Sequence, residues 1–116
     1  MLRHNRHLPL RHMLDHAREA SALVQGKSRA DLDSDRLLEP ALVRLLEIVG
    51  EAASRVPGDD CARYPEIPWS QIVGLRNRLI HGYDAVDLDI LWQIVEHDIR
   101  LLISALETIL GQEGEE

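Results

Sequence analysis

Two guanidiniums, an amide, an imidazole and a phenol fall within eight residues, Arg76-Asn77-Arg78-Leu79-Ile80-His81-Gly82-Tyr83, in a chain with two tyrosines and no phenylalanine. Each type suits phosphodiester chemistry. Arg76 offers a planar fork of donors to a phosphate. His81, with an unperturbed pKa near ~6.5, can give or take a proton at neutral pH. Asn77 can orient the imidazole or a substrate. No cluster of carboxylates in the chain suggests a catalytic metal, and no motif suggests a cofactor. Cleavage of RNA by such a set would be metal-independent, with the 2′-hydroxyl as nucleophile, and DNA would be inert. The bland reading is that Arg76 pairs with a carboxylate at the core edge and that Asn77 and His81 form a solvated face.

These residues need elements to hold them. Residues 1–9 read as polar and frayed. Leu10, Met13, Leu14, Ala17, Ser21 and Val24 then recur at helical spacing, and Gly26 is the expected stop. A second stripe runs from Leu37 through Leu45, Val49 and Val56, with Asp33 or Ser34 as the expected N-cap and Pro40 confined to the first turn or bending the helix. Residues 57–68 carry three prolines and Gly58 and read as a loop. Pro68 suits the start of a third helix near Trp69, and Gly82 is its expected stop. Asp87 is expected to cap a fourth helix, with Leu91, Val95, Ile99, Leu102 and Leu106 inward, Gly111 as its end and a solvated acidic tail over 112–116. No strand-like alternation appears. The pattern predicts one all-α domain over residues 1–116, an antiparallel four-helix bundle with room for a fifth short helix.

On an unbroken helix over 69–81, Trp69, Ile72, Val73, Arg76 and Ile80 share one stripe, and Ser70, Gly74, Asn77 and His81 share another. Gly74 is expected to admit a close approach. Arg76 and His81 then point about 140° apart. Either the helix ends and swings His81 round, or a second subunit supplies the missing half. Arg76, near the core edge, needs a carboxylate or an anionic ligand. Glu51 on the second helix is expected to neutralise Arg76 or Arg78.

The spacing Arg76-x4-His81-x-Tyr83 resembles the signature of the HEPN superfamily. The stretches Tyr64-Pro65-Glu66-Ile67-Pro68-Trp69, Gly74 to Tyr83, and Leu46-Glu47-Ile48-Val49-Gly50-Glu51-Ala52-Ala53 resemble its HepT-like toxin subfamily, over about residues 10–110. The resemblance implies a HEPN-like bundle of four or five helices that dimerises through the motif face. It implies a ribonuclease toxin of a type VII-like toxin–antitoxin pair, with Arg76 and His81 as the catalytic pair, Asn77 as polar helper and Arg78 and Glu51 in support. It also implies a minimal nucleotidyltransferase antitoxin that transfers AMP from ATP to Tyr83. Negative charge there would repel RNA phosphate.

Composition narrows the alternatives. The net charge is -7, spread unevenly: residues 1–30 hold six Lys/Arg against Asp15 and Glu19, a balance of +4, which leaves -11 on the rest. A chain this acidic has no broad footprint for nucleic acid, so RNA contact is expected at one small basic site. Arg44 and Arg55 could widen it, although solvated surface is their default reading. The charge also suits a rival, a helical module that binds a nucleotide or the nucleotidyltransferase without cutting RNA. His4, His7, His12 and His16 form a loose histidine cluster that lacks completing ligands, and a solvated face is the expected reading. No apolar run reaches the ~20 residues of a membrane helix. No leader sequence is recognisable, and Cys61 is the single cysteine, so a cytoplasmic protein is expected.

Overall fold

The computed structural model describes residues 7–81 and 85–113. At His81 and Glu113 it describes the backbone alone. The first helix, α1, spans Leu8–Leu23 and buries Leu10, Met13, Leu14, Ala17 and Ala20. It begins two residues earlier than the periodicity suggests. Pro9 sits in its first turn, where a missing N–H costs nothing. Gly26 closes the following turn at φ 76, in the left-handed region that glycine enters without strain.

The linker expected after α1 contains a short helix, α2, at Asp31–Ser34. Arg29 ties it down, donating to Asp89 at 2.8 Å and to Asp33 at 3.1 Å. The hydrogen bond it donates to Asp89 holds the Arg29 guanidinium above its ordinary pKa. The second long helix, α3, spans Leu38–Ser54. Its cap position is Leu37, without a side-chain cap, so neither Asp33 nor Ser34 takes that role. Pro40 is the third helical residue, within the turn whose N–H groups have no partner in the helix.

The expected loop over 57–68 holds another short helix, α4, at Gly58–Arg63. The Trp69 indole N–H donates to the carbonyls of Cys61 and Tyr64, each at 3.1 Å, and so fastens the end of α4 to the start of the next element. The third expected helix is broken. It consists of α5 (Trp69–Val73) and α6 (Leu75–Leu79), joined at Gly74. Ile80 then turns extended, at φ -105 and ψ 125. Ile80–His81 (β1) pairs antiparallel with Ala85–Val86 (β2), in register Ile80 to Val86 and His81 to Ala85. The Asp87 N–H donates to the Leu79 carbonyl at 2.8 Å. This small ladder corrects the expectation of no strand, and it ends the helix three residues before Gly82.

Asp87 does cap the last arm, as its position in the sequence predicts: its carboxylate accepts from the Ile90 N–H at 3.0 Å. The arm runs as α7 (Leu88–Gln93), a π-helical turn (Ile94–Asp98) and α8 (Ile99–Glu113). Gly111 lies inside α8 and does not stop it.

These arms form an antiparallel helical bundle. The α1 helix packs on both α3 and α8, and α5 and α6 lie on α3. The core is aliphatic, with Leu42, Leu46, Val49, Leu75, Leu79, Leu91, Ile94, Ile99, Leu106 and Ile109 fully or almost fully buried. Trp69 and Trp92 pack partly buried against it. Among the described residues no helix is long and apolar enough to cross a membrane.

One contact sets the spacing of the broken arm. A Cβ added to Gly50 would lie 3.0 Å from the Ile72 carbonyl oxygen and 3.5 Å from that of Val73. The backbone of α5 therefore rests directly on α3 at this glycine. The close approach predicted for Gly74 belongs to Gly50, since Gly74 meets mainly the Ser70 carbonyl of its own segment. Replacing Gly50 by alanine pushes backbone against backbone and should cost about 1–3 kcal/mol. Urea unfolding of Gly50→Ala measures this, and wild-type stability would contradict the contact.

Candidate active site

The two arginines of α6 project from the bundle on different sides of its buried face. Ile72, Leu75 and Leu79 are the buried positions of α5 and α6, spaced by three and four. The inward stripe therefore differs from the predicted one. Val73 and Arg76 lie on an exposed rim above α3, so Arg76 is not a charge at the core edge. Arg76 and Arg78, about 200° apart on a helix, face opposite neighbours.

Arg78 turns toward the last arm. Its Nη2 donates to Asp98 of the π-helical turn at 3.3 Å, and both side chains are partly buried. Arg76 turns toward α3. Its Nε lies 3.6 Å from Glu47 Oε2, with 65% of its side chain exposed against 23% for Glu47. The other Glu47 oxygen, Oε1, lies 3.5 Å from Nη1 of Arg44, one turn earlier on α3. Sequence reasoning placed the neutralising carboxylate at Glu51. The structure places Glu47 beside Arg76 and Asp98 beside Arg78, and Glu51 pairs with neither arginine. The helical spacing of Arg44, Glu47, Glu51 and Ser54 was the available signal for this polar face.

The same residues line an open pocket of about 330 Å³: Arg44, Glu47, Gly50, Glu51, Ser54 and Arg76. Asn77, next to Arg76 in the chain, is exposed and is not among the residues that line this pocket. Arg78 instead lines a second pocket of about 330 Å³ with Pro65, Pro68, Gln71, Asp98 and Leu101. A third pocket, of about 270 Å³, places Arg55 and Glu51 with Leu8, Pro9 and His12 of α1. Glu51 thus stands between the first and third pockets.

His81 is separated from Arg76 by the end of α6. Its backbone belongs to β1, opposite Ala85. The 140° separation assumed helix through residue 81 and does not hold, because helix stops at Leu79. The helix ends before His81, as the first of the two readings supposed, so the angle on an unbroken wheel no longer bears on whether a second subunit is needed. Tyr83, the expected modification site, and His4 of the histidine cluster lie outside the described residues. Of the other histidines, His16 Nδ1 bonds the His12 carbonyl at 2.8 Å and His7 is buried. Among the described residues no group of three or more His, Cys, Asp or Glu could hold a metal ion. Cys61 is a poor nucleophile, because burial and then the charge of Asp60 push its thiol up.

A pocket-facing, half-solvated guanidinium that meets its carboxylate only through Nε keeps its terminal Nη donors for a phosphate. Comparison with known proteins finds ribonucleases. Residues 13–109 match the family described as ribonuclease HepT-like. A probable ribonuclease HepT of Thermococcus cleftensis is 36% identical over 100 residues, 83% of this chain and 91% of that protein. A putative RNase of Caldanaerobacter subterraneus subsp. tengcongensis is 35% identical over 104 residues, 90% and 93% of the two chains. A putative RNase of Methanocaldococcus jannaschii is 31% identical over 97 residues, 84% and 89%. No solved structure matches.

The two arginines should separate in their effects on stability. Arg78→Ala breaks a partly buried, hydrogen-bonded pair and should cost about 1 kcal/mol. Arg76→Ala should stay within about 0.5 kcal/mol of wild type. Urea unfolding of both variants checks this, and an equal loss from both would contradict the assignment of Arg76 to a solvent-facing role.

Proposed function

This chain belongs to the HepT-like ribonuclease family, and on that premise we propose that it is a metal-independent endoribonuclease. The observation that carries the reading is the exposed Arg76 over its pocket, with the helix ended before His81. Arg76 binds the scissile phosphate and stabilises the charge that grows on it. His81 moves a proton to or from the reacting oxygens, and Asn77 orients the imidazole or the substrate. The 2′-hydroxyl attacks, so DNA is not cut. Arg78 supports the site from behind, by tying α6 to the last arm through Asp98. Glu51 shapes the pocket rim.

The wider assignment follows from the family resemblance. The protein is the toxin of a type VII-like pair in the cytoplasm, acts as a homodimer with both motifs at the subunit junction, and is silenced by a minimal nucleotidyltransferase antitoxin. AMP on Tyr83, two residues past His81, adds bulk and negative charge beside the RNA phosphate. The phenol thereby gains a role in regulation rather than in cleavage.

Purified protein should cleave RNA in EDTA, and His81→Ala should lower the rate by about a hundredfold or more. An EDTA-sensitive activity, or a fully active His81→Ala, would overturn the mechanism. RNA binding with no cleavage by wild type would favour the non-catalytic module. Incubation with the nucleotidyltransferase and ATP should add AMP mass to Tyr83 and stop cleavage, while Tyr83→Phe should stay active. An unmodified Tyr83 in the wild type would contradict the switch.

A further inference from the structure

The two oxygens of Glu47 face two guanidiniums on different elements: Oε1 faces Arg44 of α3, and Oε2 faces Arg76 of α6. It is the more buried member of each pair, at 23% exposure against 65% for either arginine. The contacts are specific in their atoms. Arg76 meets Glu47 through Nε, so the terminal Nη1 and Nη2 donors are left for a ligand. Arg44 meets it through Nη1, which leaves Nη2 and Nε. Both distances, 3.5 and 3.6 Å, exceed a good charge-assisted hydrogen bond, so neither guanidinium is committed to the carboxylate. Just before α6, α5 rests on α3 at Gly50, one turn along from Glu47, where backbone meets backbone. All four residues line one pocket.

We propose that Glu47 is a positioning residue that holds Arg44 and Arg76 as a two-guanidinium clamp for an RNA phosphodiester. This rests on reading the pocket as the place where RNA is cut. Arg76 takes the scissile phosphate, and Arg44 takes a phosphate oxygen from the α3 side. Glu51 also lies on the pocket wall, so the formal charges of Arg44, Arg76, Glu47 and Glu51 cancel. Phosphate is therefore drawn by the placement of the two cations and not by net charge. Placement is what Glu47 supplies, at the cost of some attraction.

That trade gives opposite signs for binding and turnover. Glu47→Gln removes a negative charge and should bind RNA about threefold more tightly. It should also lower kcat about tenfold, because Arg76 loses its anchor. Arg44→Ala should raise KM and Kd about tenfold with kcat nearly unchanged, as loss of uniform binding does. It should also reduce the slope of log Kd against log salt by about 0.7, the value for one phosphate contact on a single strand. Binding is read by fluorescence anisotropy of a labelled single-stranded RNA made uncleavable by 2′-O-methylation, cleavage by the unmethylated RNA, and folding by the unfolding temperature of each full-length variant.

Slower cleavage with tighter binding at an unchanged unfolding temperature supports the positioning role. Wild-type kcat in Glu47→Gln overturns it, and so does a fall in kcat matched by a fall in unfolding temperature. An unchanged Kd and salt slope in Arg44→Ala removes Arg44 from the clamp. Wild-type protein that binds the RNA but leaves it whole overturns the ribonuclease reading and Glu47's role with it, while the Arg44 result still decides the contact. Wild-type protein that does not bind RNA overturns both.

Discussion

The candidate site depends on one steric fact: the backbone of α5 rests on Gly50 of α3. Helices of five residues do not persist alone, since their nucleation cost is repaid over few hydrogen bonds. The position of α5 and α6 is therefore set by what they pack on. Three buried side chains, Ile72, Leu75 and Leu79, hold their inner face. The Asp98 pair holds Arg78 on one side. Arg76 is left on the other side, above α3, where it meets Glu47, which also faces Arg44. A larger residue at Gly50 would move α5 outward and change every one of these distances.

The long helices were legible because their stripes are long. Ten or more residues of apolar periodicity average out local exceptions, such as the exposed Leu37. The cap at Asp87 and the helix start after Pro68 were legible because single residue types carry those signals. The short elements were not. The α2 and α4 helices and the β1–β2 pair owe their form to contacts distant in sequence, such as Arg29 to Asp89 and Asp87 to Leu79. The wheel drawn over residues 69–81 failed for the same reason. It assumed one phase, whereas Gly74 interrupts the helix and Ile80 leaves it for a strand partner.

The site shows a finer version of this limit. Arg76 needed a carboxylate, and the second helix offered Glu47 and Glu51 on one face. Which of them lies opposite depends on how α6 lies on α3, and the glycine contact that seats α5 just before it constrains that placement. The same placement brings Arg44 into the pocket, although its own sequence context reads as plain surface. The acidic balance of the chain leaves no broad basic face for nucleic acid. Two guanidiniums placed by one carboxylate can hold a phosphate without a wide basic face.

The central claim is that RNA is cut by proton transfer and phosphate binding from this chain's own side chains, with the 2′-hydroxyl as nucleophile. The chemical ends of the products report this most directly. Mass spectrometry of a defined RNA cleaved by the purified protein should find 5′-hydroxyl ends paired with 2′,3′-cyclic or derived phosphate ends. Products carrying 5′-phosphate and 3′-hydroxyl ends would mean that water attacked from outside the RNA, and would contradict the account.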